Sequence, residues 1–277
     1  MLYLRIDDNS LGLASFTLPT DREREEAMTL GRVLPTEPTL AFRRHAVPTT
    51  PSFGETLRQI MSQHPEASGE GGVHVLICGP VTIVPDGEVA AEKYEQVFRS
   101  CFSFSDNSDR EVFATPVPML HSTLLFGVKT SVVEALRRQF ADVPLHIESA
   151  LAPILNHFAD HYEDNLRLRI FVNCRYRFID VFCIDGRQLT LLNSFPVNGA
   201  PDIAYYAVAI TRSLCLDTQS VPFLFMGDRE MMTTALTELR RFAGDTQIVS
   251  ASSELGVPYT ATAQTEIPFE LLARIYA

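Results

Sequence analysis

The order of elements along this chain occurs twice. An alternating pair of short strands, a helix, and an apolar strand closed by glycine follow one another near the amino terminus, and the same order returns in the second half. The apolar strands are VHVLIC at 73–78, closed by Gly79, and VPFLFM at 221–226, closed by Gly227. A nearly continuous apolar run of that length suits a central strand covered on both faces, as in parallel sheets. Strand groups alternating with helices specify an α/β architecture. Two such groups predict two similar mixed-sheet α/β halves with a cleft between them, residues 1–162 and 163–277, with the junction between 148 and 166. A single mixed α/β domain is the competing arrangement.

The detailed pattern supports this order. LYLRI, DDNS and LGLASF at 2–16 read as a hairpin around turn-forming residues. Residues 19–38 are charged and bounded by proline, and 21–28 fit a short helix or a loop. A strand is expected at 41–47. Ser52 and Glu55 have capping-box spacing, and Phe53, Leu57, Ile60 and Met61 share one helical face, so a helix is predicted over 53–63. PEASGEGG at 65–72 reads as a loop. A short strand at 81–84, a turn at 85–87 and a helix over 89–101 come next. Two strands are expected at 111–117 and 122–128, then a helix over 132–140 opened by Ser131 and Glu134. A strand at 144–148 and a helix from Ser149 to about 162 complete the first half.

LRLRIFVNC, RYRFIDVFCID and QLTLLNSFPV then make three strands from Leu166 onward, with turns expected near Asn173-Cys174 and at Asp185-Gly186. Ile203, Tyr206, Ile210 and Leu214 form the buried stripe of a helix that begins at Pro201. Asp228 is placed to cap the helix after Gly227. A strand at 246–250 and a helix at 268–276 finish the chain.

Composition narrows the function classes. The chain has 277 residues, 46% hydrophobic and 21% charged, and is long enough to bury a full core. Its net charge of −11 opposes general binding to nucleic-acid backbones. No stretch reaches the ~20 apolar residues of a membrane helix, and no membrane insertion is expected. Cys78, Cys101, Cys174, Cys183 and Cys215 are odd in number, widely spaced and mostly inside apolar runs, as in a reducing compartment. A cytoplasmic protein is therefore expected.

At 189–206 the sequence LTLLNSFPVNGAPDIAYY resembles the signature of an uncharacterised bacterial family, known mainly from Bacteroidetes, whose members adopt an actin-like ATPase fold of the ribonuclease H-like kind. The matching residues are Asn193, Ser194, Phe195, Asp202, Tyr205 and Tyr206, with the following apolar strand and Gly227. The resemblance implies the fold and no activity, because the family has no established one. The wider superfamily holds ATP between two hairpin turns, each with an aspartate and small, glycine-rich residues, where backbone N–H groups approach the phosphates and the acids position a metal ion. It implies a cleft formed by Asp7, Asp8, Ser10, Asn173, Arg175, Gly227 and Asp228, and ATP with magnesium as the cofactor to test. The first turn, Asp7-Asp8-Asn9-Ser10, has acid and hydroxyl but no glycine at its tip. The second, at 173–177, has no acid, glycine or small hydroxyl. This is the pattern of a degenerate nucleotide site.

Other constellations are weaker. Asp7 and Asp8 could hold a metal ion, and they also suit a hairpin turn. His157 and His161 have zinc-ligand spacing, but HFADH lacks the glutamate of H-E-x-x-H, and both border the apolar stripe of their helix. Arg167, Arg169, Arg175 and Arg177 alternate on adjacent strands, as an anion-docking face or a solvated one. Tyr205 and Tyr206 are expected to divide between surface and core. No nucleophile–base pair or P-loop is present. The reading is a non-catalytic module that binds a protein partner or its own copy, with a nucleotide-binding protein or slow ATPase as the alternative.

Overall fold

The computed structural model describes residues 1–17, 25, 26, 28–30, 39–50, 52–65, 67, 69, 71–102, 109–161, 168–186, 188–256 and 267–276. The amino-terminal hairpin is β1 (Leu2–Asp7) and β2 (Ser10–Thr17), joined by Asp8 and Asn9 and followed by β3 (Thr39–Ala46). Helix α1 (Phe53–Gln63) opens with the capping box: the Glu55 N–H donates to Ser52 Oγ, and the Ser52 N–H donates to Glu55 Oε2 at 3.0 Å. This leads to β4 (Val73–Ile77). Between β4 and the later strand β8 (Leu145–Ser149) lie β5 (Val81–Pro85), α2 (Tyr94–Cys101), β6 (Arg110–Val117), β7 (Ser122–Lys129) and α3 (Thr130–Gln139). Helix α4 (Leu151–His161) closes this part.

The second part repeats the plan with β9 (Arg169–Arg175), β10 (Phe178–Asp185), β11 (Gln188–Pro196), α5 (Ala200–Ser213), β12 (Pro222–Gly227), α6 (Arg229–Leu239) and β13 (Asp245–Ile248). A short helix α7 (Ala251–Glu254) and the terminal α8 (Phe269–Tyr276) follow.

Two five-stranded sheets result, in the orders β3-β2-β1-β4-β8 and β11-β10-β9-β12-β13. The directions also match: two antiparallel pairs, then two parallel ones, in each sheet. A third sheet, β5-β7-β6, is inserted in the first half and covered by α2, with Phe98 packed on Val84 and Leu125.

The pairing register identifies equivalent positions. The Cys78 N–H donates to the Ile6 carbonyl at 2.8 Å, and the Asp228 N–H donates to the Cys174 carbonyl at 2.8 Å. Asp7 and Arg175 are each the last strand residue before the hairpin turn. They therefore occupy the same place in the two halves, as do Ile77 and Gly227. Gly227 does not correspond to Gly79, which lies two residues further on.

Alternation decides what each strand buries. On β9, Ile170, Val172 and Cys174 face α5 and α6, whereas Phe171 joins the cluster shared with the first half. There Phe158 of α4 packs on Phe171 at 4.5 Å and on Phe269 at 5.5 Å between ring centroids, and Phe171 stacks on Phe182 at 4.7 Å. Such aromatic pairs each add ~1 kcal/mol beyond area burial. This seam joins the two sheets. Helix α8 returns to the first sheet, where Leu271 and Leu272 pack with Ala14, Phe42 and Leu76.

Three local expectations change. The helix expected from 132 starts at Thr130, because β7 runs directly into it; Lys129 is its N-cap, and Ser131 makes no capping bond. The turn expected near Asn173-Cys174 lies at Tyr176-Arg177, since β9 and β10 stay paired as far as Arg175 and Phe178, and Arg177 takes the left-handed φ of 59°. His157 is buried, not at a core boundary; its Nε2 meets Glu254 Oε1 at 3.3 Å. The expected segment 19–38 falls mostly outside the described residues, as does Arg167, and nothing is described of the His161 side chain. Among the described residues no helix is long and apolar enough to cross a membrane.

Candidate functional site

The two hairpins and the end of β12 meet at one cleft of about 840 Å³. Asp7, Ser10, Arg175, Gly227 and Asp228 line it, with Arg5, Tyr176, Arg229 and the start of α8. Asp8 is outside this lining: it lines a second cavity of about 650 Å³, which Asp7 also borders, with Arg110 and Lys129. Asn173 lines neither cavity and is buried in the sheet beside Gly227. The cleft lining thus holds five of the seven expected residues; Asp8 and Asn173 lie next to them but outside the lining.

The charges at the cleft are neutralised from within. Arg5 and Asp7 lie two apart on β1, so both project from the same face. The Arg5 guanidinium donates to Asp7 Oδ2 at 3.1 Å and to Glu270 Oε1 of α8 at 2.5 Å. The other Asp7 oxygen, Oδ1, accepts from the Asp8 N–H at 2.9 Å. Burial opposes the charge on Arg5, but the fields of Glu270 and Asp7 and the Glu270 hydrogen bond outweigh it and push its pKa up. Burial pushes the Cys78 thiol up, so it stays protonated.

In the second hairpin Arg175 takes the place of Asp7. Its guanidinium donates to both oxygens of Asp180, at 2.7 Å each, in the forked geometry that suits a carboxylate. Ser194 Oγ donates to Asp180 Oδ1 at 2.7 Å, and Asn173 Nδ2 donates to Oδ2 at 3.2 Å. Arg175 and Asp180 are each about 3% exposed at the side chain. Burial works against the Arg175 charge, and the Asp180 field with its hydrogen bonds more than restores it. The Arg175 field also reaches the first half, where it opposes the upward shift that burial and Asp7 impose on the Asp8 carboxyl.

Gly227 is required by the backbone itself. Its φ is +99°, and a Cβ there would lie 2.1 Å from the Cys174 carbonyl oxygen. Asp228 caps α6, its Oδ1 accepting from the Met231 N–H at 3.0 Å. By contrast, a Cβ on Gly79 would meet open space.

Magnesium and a nucleotide phosphate do not fit this arrangement well. Both Asp7 oxygens already accept hydrogen bonds, Arg175 is paired with Asp180 through two of its nitrogens, and the second turn presents Tyr176 and Arg177 where close approach needs small residues. Among the described residues no three His, Cys, Asp or Glu side chains gather to hold a metal ion. His157 is engaged with Glu254. Of the arginine set, Arg175 is internal and Arg177 is exposed at the turn.

Sequence reading missed Arg5, Asp180 and Glu270. Each had a signal: a single charge inside an apolar stretch, LYLRI, FIDVFCI and PFELLA. Such a charge needs a buried partner: Glu270 finds Arg5 265 residues away, and Asp180 meets Arg175 only once β9 and β10 pair.

Two matching sheets with a cleft at the paired hairpins define the actin-like ATPase fold. The chain belongs to a family described as a protein of unknown function, DUF3822, which matches residues 36–245. No curated protein matches it. A protein of Bacteroides thetaiotaomicron with an actin-like ATPase fold and unknown function superposes with a TM-score of 0.73 at 17% identity, over 90% of each chain. A chain of the PilM-PilN type IV pilus biogenesis complex superposes with a TM-score of 0.51 at 14% identity, over 99% of this chain and 94% of that one.

Proposed function

We propose that this protein is a non-catalytic binding module of actin-like fold that works through a protein partner or a second copy of itself. The observation that carries this reading is the charge reversal at equivalent hairpin positions. Asp7 stands in one half and Arg175 in the other, and each is held in an internal ion pair. A hydrolytic site between the hairpins needs acids free to position a metal ion and water, and these contacts use them. The PilM-PilN complex is an example of the same fold associated with a protein partner. The five cysteines are all free, and Cys78, Cys174 and Cys183 are buried, which supports a reducing compartment such as the cytoplasm.

A second reading has its own observation. The cleft of about 840 Å³ brings together Ser10, Gly227 and Asp228 and has the arginines Arg5, Arg44, Arg175 and Arg229 in its lining. That space and charge suit an anion, and the alternative is a nucleotide-binding protein with altered contacts.

Thermal unfolding with and without excess Mg-ATP separates the two. A ligand at 100 times its Kd adds about 2.7 kcal/mol to stability, so binding would raise Tm by several degrees. The binding-module reading predicts an unchanged Tm. Sedimentation over a wide concentration range then distinguishes self-association, where mass grows with concentration, from a monomer that needs a different partner.

A further inference from the structure

The face of the first sheet under α8 carries a ladder of rings. Tyr3, His74 and His146 are register partners on β1, β4 and β8. Tyr3 stacks on His74 at 5.5 Å, and His74 stacks on His146 at 4.9 Å. Above them Arg274 of α8 reaches His74 Nδ1 at 3.2 Å and donates to Glu148 Oε1 of β8 at 2.6 Å. A guanidinium can only donate. The contact therefore requires His74 to be neutral, with Nδ1 accepting and the proton on Nε2.

One turn earlier on the same helix, Glu270 holds Arg5, which in turn holds Asp7. Pro268, Phe269, Glu270 and Leu272 form a wall of the cleft. Helix α8 is thus tied to the sheet at two polar points, one at the cleft and one at the histidine ladder.

We propose that His74 is a proton-operated latch for this helix: neutral, it accepts from Arg274 and α8 stays docked; protonated, it turns the contact into a repulsion and α8 loosens, opening one wall of the cleft. The groups that face His74 favour this direction. Arg274 from α8, His146 from β8 and the amino-terminal ammonium all disfavour a proton on it, and Tyr3 from β1 supplies a neutral ring. Arg137 of α3 lines the same cavity but is held by Glu111. Among the described residues that line this cavity Glu148 is the one acid, and it is engaged by Arg274.

Burial, Arg274 and His146 lower the His74 pKa from its ordinary value near 6.5. The unfolded or undocked chain takes up the proton first. The docking contribution is therefore complete above pH 6.5 and is lost as pH falls below it. His45 is also shifted down, by burial, His64 and Arg43, so it must be tested in parallel.

Amide hydrogen exchange of the α8 peptide, corrected for the intrinsic pH dependence, tests the latch. In the full chain, α8 protection is expected to fall about 10-fold or more between pH 7.5 and pH 5, while the β9 and β12 peptides stay protected. His74→Gln keeps an acceptor that does not titrate, and its α8 protection should change less than about 2-fold. His45→Gln should behave as wild type. Should His74→Gln fold poorly, Arg274→Gln replaces it: α8 is then less protected at pH 7.5 but flat with pH. An unchanged wild-type α8, or an equal pH-dependent loss in the variant used, overturns the proposal.

Discussion

The two hairpins share a backbone plan and oppose each other in charge. In the first, an aspartate ends the strand and is covered by an arginine on its own strand. In the second, an arginine ends the strand and is covered by an aspartate on the next. The fold needs neither charge at that position, since the same pairing accommodates both. What it needs is that each buried charge find a partner, because an unpaired one costs several kcal/mol. The difference teaches that the hairpin frame and the charge it carries are separable.

Removing the partners is the most severe way to test that comparison. Asp180→Ala leaves Arg175 buried with no carboxylate and should cost about 3–5 kcal/mol. Glu270→Ala leaves Arg5 still bonded to Asp7 and should cost less, about 1.5–3 kcal/mol. Urea unfolding of both variants reads the difference. Equal costs would mean that the two arginines are not held in different ways.

The glycines separate the halves next. Gly227→Ala drives a Cβ into the Cys174 carbonyl at a φ of +99° and should cost about 1–3 kcal/mol. Gly79→Ala should stay within about 0.5 kcal/mol. A smaller pair concerns helix starts. Ser52→Ala removes a capping side chain and should cost about 1 kcal/mol, whereas Ser131→Ala, inside α3, should be within about 0.5 kcal/mol.

Much of this frame was legible in the residues. Ser52 with Glu55 fixed the start of α1, Asp228 the cap of α6, and the apolar runs at 73–78 and 221–226 the two central strands. Local signals sufficed there because each partner lies within a few residues. The second hairpin turn was misplaced by three residues. RYR carries no glycine or asparagine, and only the tertiary pairing forces Arg177 into the left-handed region. Ser131 and Glu134 have the spacing of a capping box, but the strand before them runs on into the helix. The site was half legible for the same reason. Asp7 and Gly227 stand at strand ends, where turn chemistry marks them. Arg5–Glu270 and Arg175–Asp180 arise from strand alternation and the return of the terminal helix to the first sheet, neither of which a local pattern contains.

The same ion pairs make the central claim testable in one titration. Calorimetry of Mg-ATP into the full chain, compared with an Asp7→Ala variant, addresses it directly. If the hairpin charges are committed to internal partners, the wild-type chain shows no saturable heat and Asp7→Ala matches it. Saturable micromolar binding that is lost on Asp7→Ala would contradict that account and establish a working nucleotide site between the halves.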